Sequence, residues 1–266
     1  MIPQAYISEW SQQVPWQTME QVEQDLVICR ALVEIFSDDL LANSLAFRGG
    51  TALHKLFFSP QQRYSEDIDL VQITAEPFGH LVDRIRERLS FLGEPKRSPK
   101  AHNFTMYFRF ESEFPPAMNL KLKVETNTRE HFTVSDLIKV PFEVNSKWFK
   151  GSCNLTTYKL EELLGTKLRA LYQRKKGRDL YDLYIALTRN PSLDKDLLLS
   201  CYREYMKFSV DNPPSQREFI LNMEAKINDP EFLGDTTGLL RQGQFYKPLT
   251  AYRLVKTELI DKILSK

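Results

Sequence analysis

The stretch Arg63-Tyr64-Ser65-Glu66-Asp67-Ile68-Asp69-Leu70-Val71 decides how this chain is read. From Asp67 onward polar and apolar residues alternate, and a period of two is that of a strand: both aspartates point to one face, Ile68 and Leu70 to the other. The aliphatic neighbours make the aspartates part of a sheet and not of an oxygen-rich loop. No glycine or distal glutamate follows where a calcium loop requires it. Two carboxylates one strand period apart project side by side and can share divalent cations, which is what phosphoryl transfer on a triphosphate demands. Alone, such a pair also fits an ordinary polar strand edge.

Working back, Ala46-Phe47-Arg48 reads as a short strand stopped by a turn at Gly49-Gly50, with Thr51 as cap of a helix through Leu53, Leu56 and Phe57. Glycines remove the Cβ obstruction, so backbone amides and the helix start at Thr51 can approach phosphate oxygens. Further upstream, Val22, Leu26, Cys29, Leu32, Val33 and Phe36 recur at helical spacing, which predicts a helix over 19–41, with Asp38 and Asn43 near its end.

Working forward, a helix is expected over 77–91. Two alternating runs, 104–110 and 120–125, read as neighbouring strands split by a loop holding Pro115-Pro116. Past Thr156 the period is helical, over 160–173, 179–188, 194–208, 215–227 and 250–264. The expected class is α+β: residues 1–155 form a small mixed sheet flanked by helices, with an N-terminal helix, and residues 156–266 a mainly helical second half.

Composition narrows the function by exclusion. With 36 basic and 35 acidic residues the net field is nearly nil, so any nucleic-acid binding has to come from local clusters. The cysteines Cys29, Cys153 and Cys201 show no zinc spacing, and His54, His80, His102 and His131 form no metal pair. There is no GxxxxGK[ST] loop and no GxSxG elbow, so neither a P-loop nor a serine hydrolase fits. No leader and no apolar stretch of about 20 residues is present, so the expectation is a cytoplasmic protein with no membrane partner.

Gly49-Gly50-Thr51-Ala52-Leu53, Arg63 through Leu70, and Leu160-Glu161-Glu162-Leu163-Leu164 through Arg178-Asp179-Leu180-Tyr181-Asp182-Leu183 together resemble the AbiEii/AbiGii family of nucleotidyltransferase toxins, itself similar to the DNA polymerase beta-like superfamily. The resemblance covers roughly residues 45 to 190. It implies a nucleotidyltransferase sheet and transfer of a nucleoside monophosphate from a nucleoside triphosphate (NTP) to a hydroxyl acceptor. Asp67 and Asp69 become ligands of Mg2+ or Mn2+, and Gly49, Gly50 and Thr51, with Ser65 beside them, the phosphate loop. It further implies a toxin of a toxin-antitoxin or abortive-infection pair, a cognate antitoxin, and the 3′ end of tRNA as acceptor. A protein or small-molecule hydroxyl is the rival acceptor, and a nucleotide-binding interaction protein without turnover is the rival class.

Such a site is completed by a third carboxylate acting as base and metal ligand. Glu125 fits, because Lys121, Lys123 and Glu125 share the polar face of their strand; an exposed Lys/Glu-paired face accounts for them equally well. Glu111 and Glu113, at the end of their run, fit less well. Lys167 falls inside the apolar stripe Leu160, Leu163, Leu164, Leu168 and Leu171, where a solubilising lysine does not belong. Its stem can snorkel, but the family's functional lysine in this helix favours an ammonium directed at the triphosphate. Asp179 flanks the stripe Leu180, Leu183, Tyr184 and Leu187, while Asp182 points nearly away from it. Asp179 also suits a helix N-cap; the resemblance assigns it to the site, with Asp182 as a nucleotide-binding neighbour. Arg174-Lys175-Lys176-Gly177-Arg178 and Lys96-Arg97-Ser98-Pro99-Lys100 read as basic loops.

Overall fold

The computed structural model describes residues 2–241 and 243–263 and divides into two compact units, Met1–Tyr158 and Lys159–Lys266. The first opens with helices α1 (Gln4–Trp10), α2 (Met19–Phe36) and α3 (Asp39–Ser44), then strand β1 (Leu45–Arg48) and helix α4 (Gly49–Ala52). There follow β2 (Asp67–Gln72), α5 (Gly79–Arg88), β3 (Lys96–Pro99), β4 (Asn103–Glu111), β5 (Asn119–Asn127), β6 (Ile138–Asn145) and β7 (Lys150–Thr157).

The seven strands form one mixed sheet in the order β3-β4-β5-β2-β1-β7-β6. Around the aspartates, β1 runs antiparallel to β2 with Arg48 opposite Asp69, and β5 runs parallel with Lys123 beside Asp67 and Glu125 beside Asp69. Ile68, Leu70, Met106, Phe108, Leu122 and Val124 turn to the other face and are buried, with α2 lying across the sheet. This is the expected α+β class, and the alternation in β2, β4 and β5 follows the sequence pattern directly.

Several boundaries differ from expectation. The helix expected over 19–41 ends at Phe36, because the Asp38 side chain accepts from the Leu41 amide (3.2 Å) and starts α3. Gly49-Gly50 is no turn: α4 begins at Gly49 and continues as a π-helical segment, Leu53–Phe57, so Thr51 sits within a helix and does not cap it. Lys96–Pro99, read as part of a basic loop, is the edge strand β3, stabilised by pairing with β4. Neither β6 nor β7 was expected. β7 (KGSCNLTT) is short of β-branched apolar residues, so its strand character comes from pairing; β6 tolerates Pro141 because it lies at the sheet edge. Beneath the sheet Lys55 Nζ lies 2.8 Å from Asp25 Oδ1, and Trp10 Nε1 donates to Asp25 Oδ2 (3.1 Å), both charges almost wholly buried.

The second unit is helical: α6 (Leu160–Gln173), α7 (Gly177–Arg189), α8 (Lys195–Ser209), α9 (Gln216–Lys226), α10 (Pro230–Gly234) and α11 (Pro248–Glu258). Asp194 and Ser215 cap α8 and α9, the latter through a reciprocal capping box with Glu218. The helix expected over 250–264 starts earlier and gives way to a 3-10 turn, Ile260–Lys262; Leu264 lies outside the described residues.

Candidate active site

In the first unit the candidate residues converge on the face of the sheet opposite α2. Asp67 and Asp69 are partly exposed there, one strand period apart as the alternation requires. Gly49 has φ +85°, a conformation that L side chains avoid. A β-carbon on Gly49 would overlap Asp69 Oδ2, and one on Gly50 would overlap the guanidinium of Arg63. The glycine pair is therefore demanded twice, by backbone conformation and by the closeness of a carboxylate and an arginine. Thr51 ties the segment down from inside: its hydroxyl donates to the Asp67 carbonyl and lies 2.9 Å from Ser65 Oγ. Arg63 is buried and donates to the Tyr64 carbonyl (2.9 Å).

Glu125 stands beside Asp69 in register, on the same face. Both its oxygens are engaged: Lys123 Nζ lies 2.6 Å from Oε2, and Asn103 Nδ2 donates to Oε1 (3.0 Å). Lys123 Nζ also lies 3.8 Å from Asp67 Oδ2. Burial works against its charge, yet the hydrogen bond to Glu125 and the neighbouring Asp67 hold this ammonium above the ordinary lysine value. The Lys/Glu pairing weighed from sequence is thus present, and the lysine reaches a candidate metal ligand as well. Arg48, opposite Asp69, pairs with Glu130.

Hard carboxylate oxygens at Asp67 and Asp69 fit a Mg2+- or Mn2+-like cation by donor chemistry. As the side chains stand, no three acidic, histidine or cysteine ligands close around one point among the described residues. An ammonium between Asp67 and Glu125 takes the place of cationic charge on that side, so the fit rests on the two aspartates, while both oxygens of Glu125 are engaged by Lys123 and Asn103.

The second unit holds the other candidates. Lys167, buried on α6, lies 3.0 Å from Asp179 Oδ1 and 3.0 Å from Asp182 Oδ2. Arg174 adds a bidentate contact to Asp179, with both distances at 2.7 Å. Burial drives the Asp179 carboxyl upward, but Lys167 and Arg174 outweigh it and hold the group below the usual carboxylate range. The expectation that Asp182 points away from the packed side is corrected: both aspartates are fully buried. The physical reason is that α7 is covered by α6 and also by α11, so more than one stripe is inside. Nor does Asp179 cap α7; it lies within the helix, and Lys176 holds the cap position. From the part of the chain that sequence leaves least interpretable, Lys226 of α9 donates to the carbonyls of Leu171 and Tyr172 at the end of α6. Burial brings this lysine down to about 8.

Sequence reasoning did not assign Arg63, Asn103 or Lys123 to the site. Arg63 lies inside the decisive motif; Lys123 was marked only by sharing a face with Glu125.

Comparison with known structures gives the class first. The fold is that of nucleotidyltransferases: it matches MenT4, a nucleotidyltransferase toxin from Mycobacterium tuberculosis H37Rv, with 14% identity, 99% of this chain and 91% of that chain covered, and a TM-score of 0.64. It also matches JHP933 from Helicobacter pylori, with 19% identity, 92% and 93% coverage, and a TM-score of 0.55. At these identities what is shared is the fold. No curated protein matches the chain. Residues 30–255 match the family described as nucleotidyl transferase AbiEii toxin, type IV toxin-antitoxin system, and the chain belongs to that family. Membership implies an NTP as substrate and an antitoxin as partner. No helix among the described residues is long and apolar enough to cross a membrane.

Proposed function

We propose that this toxin transfers a nucleoside monophosphate from an NTP to a hydroxyl at the 3′ end of tRNA, with Asp67 and Asp69 at the reacting phosphate. The observation that carries the reading is Asp69 pressed against Gly49, beside a helix that starts at that glycine. In the reaction the acceptor oxygen attacks the α-phosphorus in line, the bond to the bridging oxygen breaks, and pyrophosphate leaves. Gly49, Gly50 and Thr51, steadied through Ser65, present backbone amides to the phosphates. Asp67, Asp69 and Glu125 would hold a divalent cation, Mg2+ or Mn2+, which when bound supplies charge neutralisation on the triphosphate. Glu125, or an aspartate beside it, receives the hydroxyl proton.

Lys167, Asp179 and Asp182 keep the roles that the family motif implies, in orienting nucleotide and acceptor. Their support is a buried cluster in which Lys167 lies between Asp179 and Asp182 and Arg174 adds a second cation to Asp179, an arrangement that apolar packing of similar volume often equals or exceeds in stability. Incubation with each labelled NTP, Mg2+ and total tRNA tests the reading. Label should appear on tRNA with the wild type and vanish with Asp69→Ala; label on protein, or on no acceptor, would overturn the tRNA assignment.

A further inference from the structure

The face that carries Asp67 and Asp69 continues beyond them to the β3 edge of the sheet. One register row runs Asp67, Lys123, Tyr107, Lys96 across β2, β5, β4 and β3, and the next row toward the far end pairs Lys121 with Arg109. Residues directly opposite in a ladder share a face, so Lys96, Arg109, Lys121 and Tyr107 all stand on the side of the carboxylates. Lys96, Arg109 and Lys121 are exposed, and Tyr107 is half-buried with Lys121 Nζ 5.4 Å from its ring centre.

Charge pairing separates the two faces. Arg97, pointing the opposite way on β3, has Asp83 within 3.9 Å, and Arg84 and Arg88 of α5 hold Asp38 and Glu34. Lys96, Arg109 and Lys121 form no ion pair among the described residues. Glu111, one step further along β4, is a carboxylate on the same face and bounds the strip at its far end. Three uncompensated cations around an aromatic ring, in line with a phosphate-handling site, complement a polyanion whose bases can stack. A duplex hides its bases, so an unpaired strand makes fuller use of this surface.

We propose that this strip binds the backbone of single-stranded nucleic acid and leads its 3′ end toward Asp67 and Asp69. Lys96, Arg109 and Lys121 contact phosphates, and Tyr107 stacks on a base. Three strand spacings, about 14 Å, separate the edge at Lys96 from Asp67, so the strand crosses the sheet before reaching the reacting centre. The inference rests on the transfer reading above for the purpose of the strip, but its test is separate.

The probe is a fluorescein-labelled single-stranded oligonucleotide of about 12 nucleotides, as RNA and as DNA, followed by anisotropy at several salt concentrations. The protein carries Asp69→Asn, so that binding is read without turnover. Adding Lys96→Gln, Arg109→Gln and Lys121→Gln together should weaken binding at least tenfold. It should also make the slope of log K against log salt shallower by about 2, at roughly 0.7 per lost phosphate contact. Tyr107→Ala should weaken binding without changing the slope, and Arg97→Gln on the other face should do neither. Wild-type affinity and slope in the triple variant, or no binding of either oligonucleotide, overturns the proposal. Since these side chains are exposed, an unchanged melting temperature excludes loss of fold as the cause. A protein that binds through the strip yet transfers no nucleotide would sink the transfer reading alone.

Discussion

Asp69 rests its carboxylate against the α-carbon of Gly49, in space that any side chain at position 49 would fill. Since Gly49 also has φ +85°, Gly49→Ala imposes two penalties. A left-handed conformation costs an L residue about 1–2 kcal/mol, and the overlap forces Asp69 or the start of α4 to move. The variant should melt lower than wild type and lose nucleotide transfer by more than its loss of folded protein explains. Gly49→Ala with full transfer activity would show that the contact is incidental.

Lys123 compensates Asp67 and Glu125 from within the chain. Lys123→Met should therefore leave acidic groups facing each other with less relief, lowering the melting temperature in EDTA by the equivalent of about 1 kcal/mol, since the pair is partly exposed. Added Mn2+ should recover more stability in the variant than in the wild type. An equal response to Mn2+ in both proteins would show that ammonium and metal do not compete for the same carboxylates.

Lys167 neutralises two buried aspartates at once. Removing one partner of a buried ion pair leaves uncompensated charge and costs about 3–5 kcal/mol. Lys167→Met should thus destabilise strongly in urea unfolding, and combining it with Asp182→Asn should recover part of the loss. The sign of the pH effect follows from Asp179, whose folded value is lowered: its contribution is full above the unfolded value of 3.8 and is lost as pH falls below it toward the folded value. A Lys167→Met variant as stable as wild type would mean that Arg174 alone suffices for Asp179.

Glu23 behaves in the opposite sense. It is fully buried on α2, accepts one bond from the Glu113 amide (3.0 Å), and has Oε1 without a partner. Burial pushes its carboxyl up to about 7. Between pH 4.5 and about 7 the folded chain binds more protons here than the unfolded one, so this group's contribution to stability falls as pH rises through that window. Glu23→Gln should flatten the melting temperature over that range and raise it relative to wild type at pH 8. A wild-type pH profile in the variant would refute the assignment.

How much could be read without coordinates differs between the two units for a physical reason. The alternation at Asp67 to Val71 is local, so strand, face and the pairing of aspartates follow from it; the alternation in β5 likewise places Glu125 on the polar face of its strand. Thr51 was misjudged because capping depends on where the chain enters the helix, and with Gly49 at positive φ the cap position falls three residues earlier, at Arg48. Asp182 was misplaced because a stripe describes one packing partner, whereas α7 has helices on more than one side. β6 does alternate, with Ile138, Val140, Phe142 and Val144 set against Lys139, Pro141, Glu143 and Asn145, and Pro141 within the run argues against a strand unless it lies at an edge; β7 left no periodic trace, since pairing with its neighbours holds it in place.

By its own pattern the sequence determined the paired aspartates on a strand, the glycines before them, the lysine out of place in an apolar stripe, and the family these motifs mark. These are short-range signals, carried by side-chain period and backbone conformational freedom. Only the tertiary structure decided that β5 runs parallel to β2, which sets Glu125 beside Asp69 and Lys123 between Asp67 and Glu125. Strand order and register are chosen by burial summed over the whole sheet, and no local stretch of sequence contains that sum.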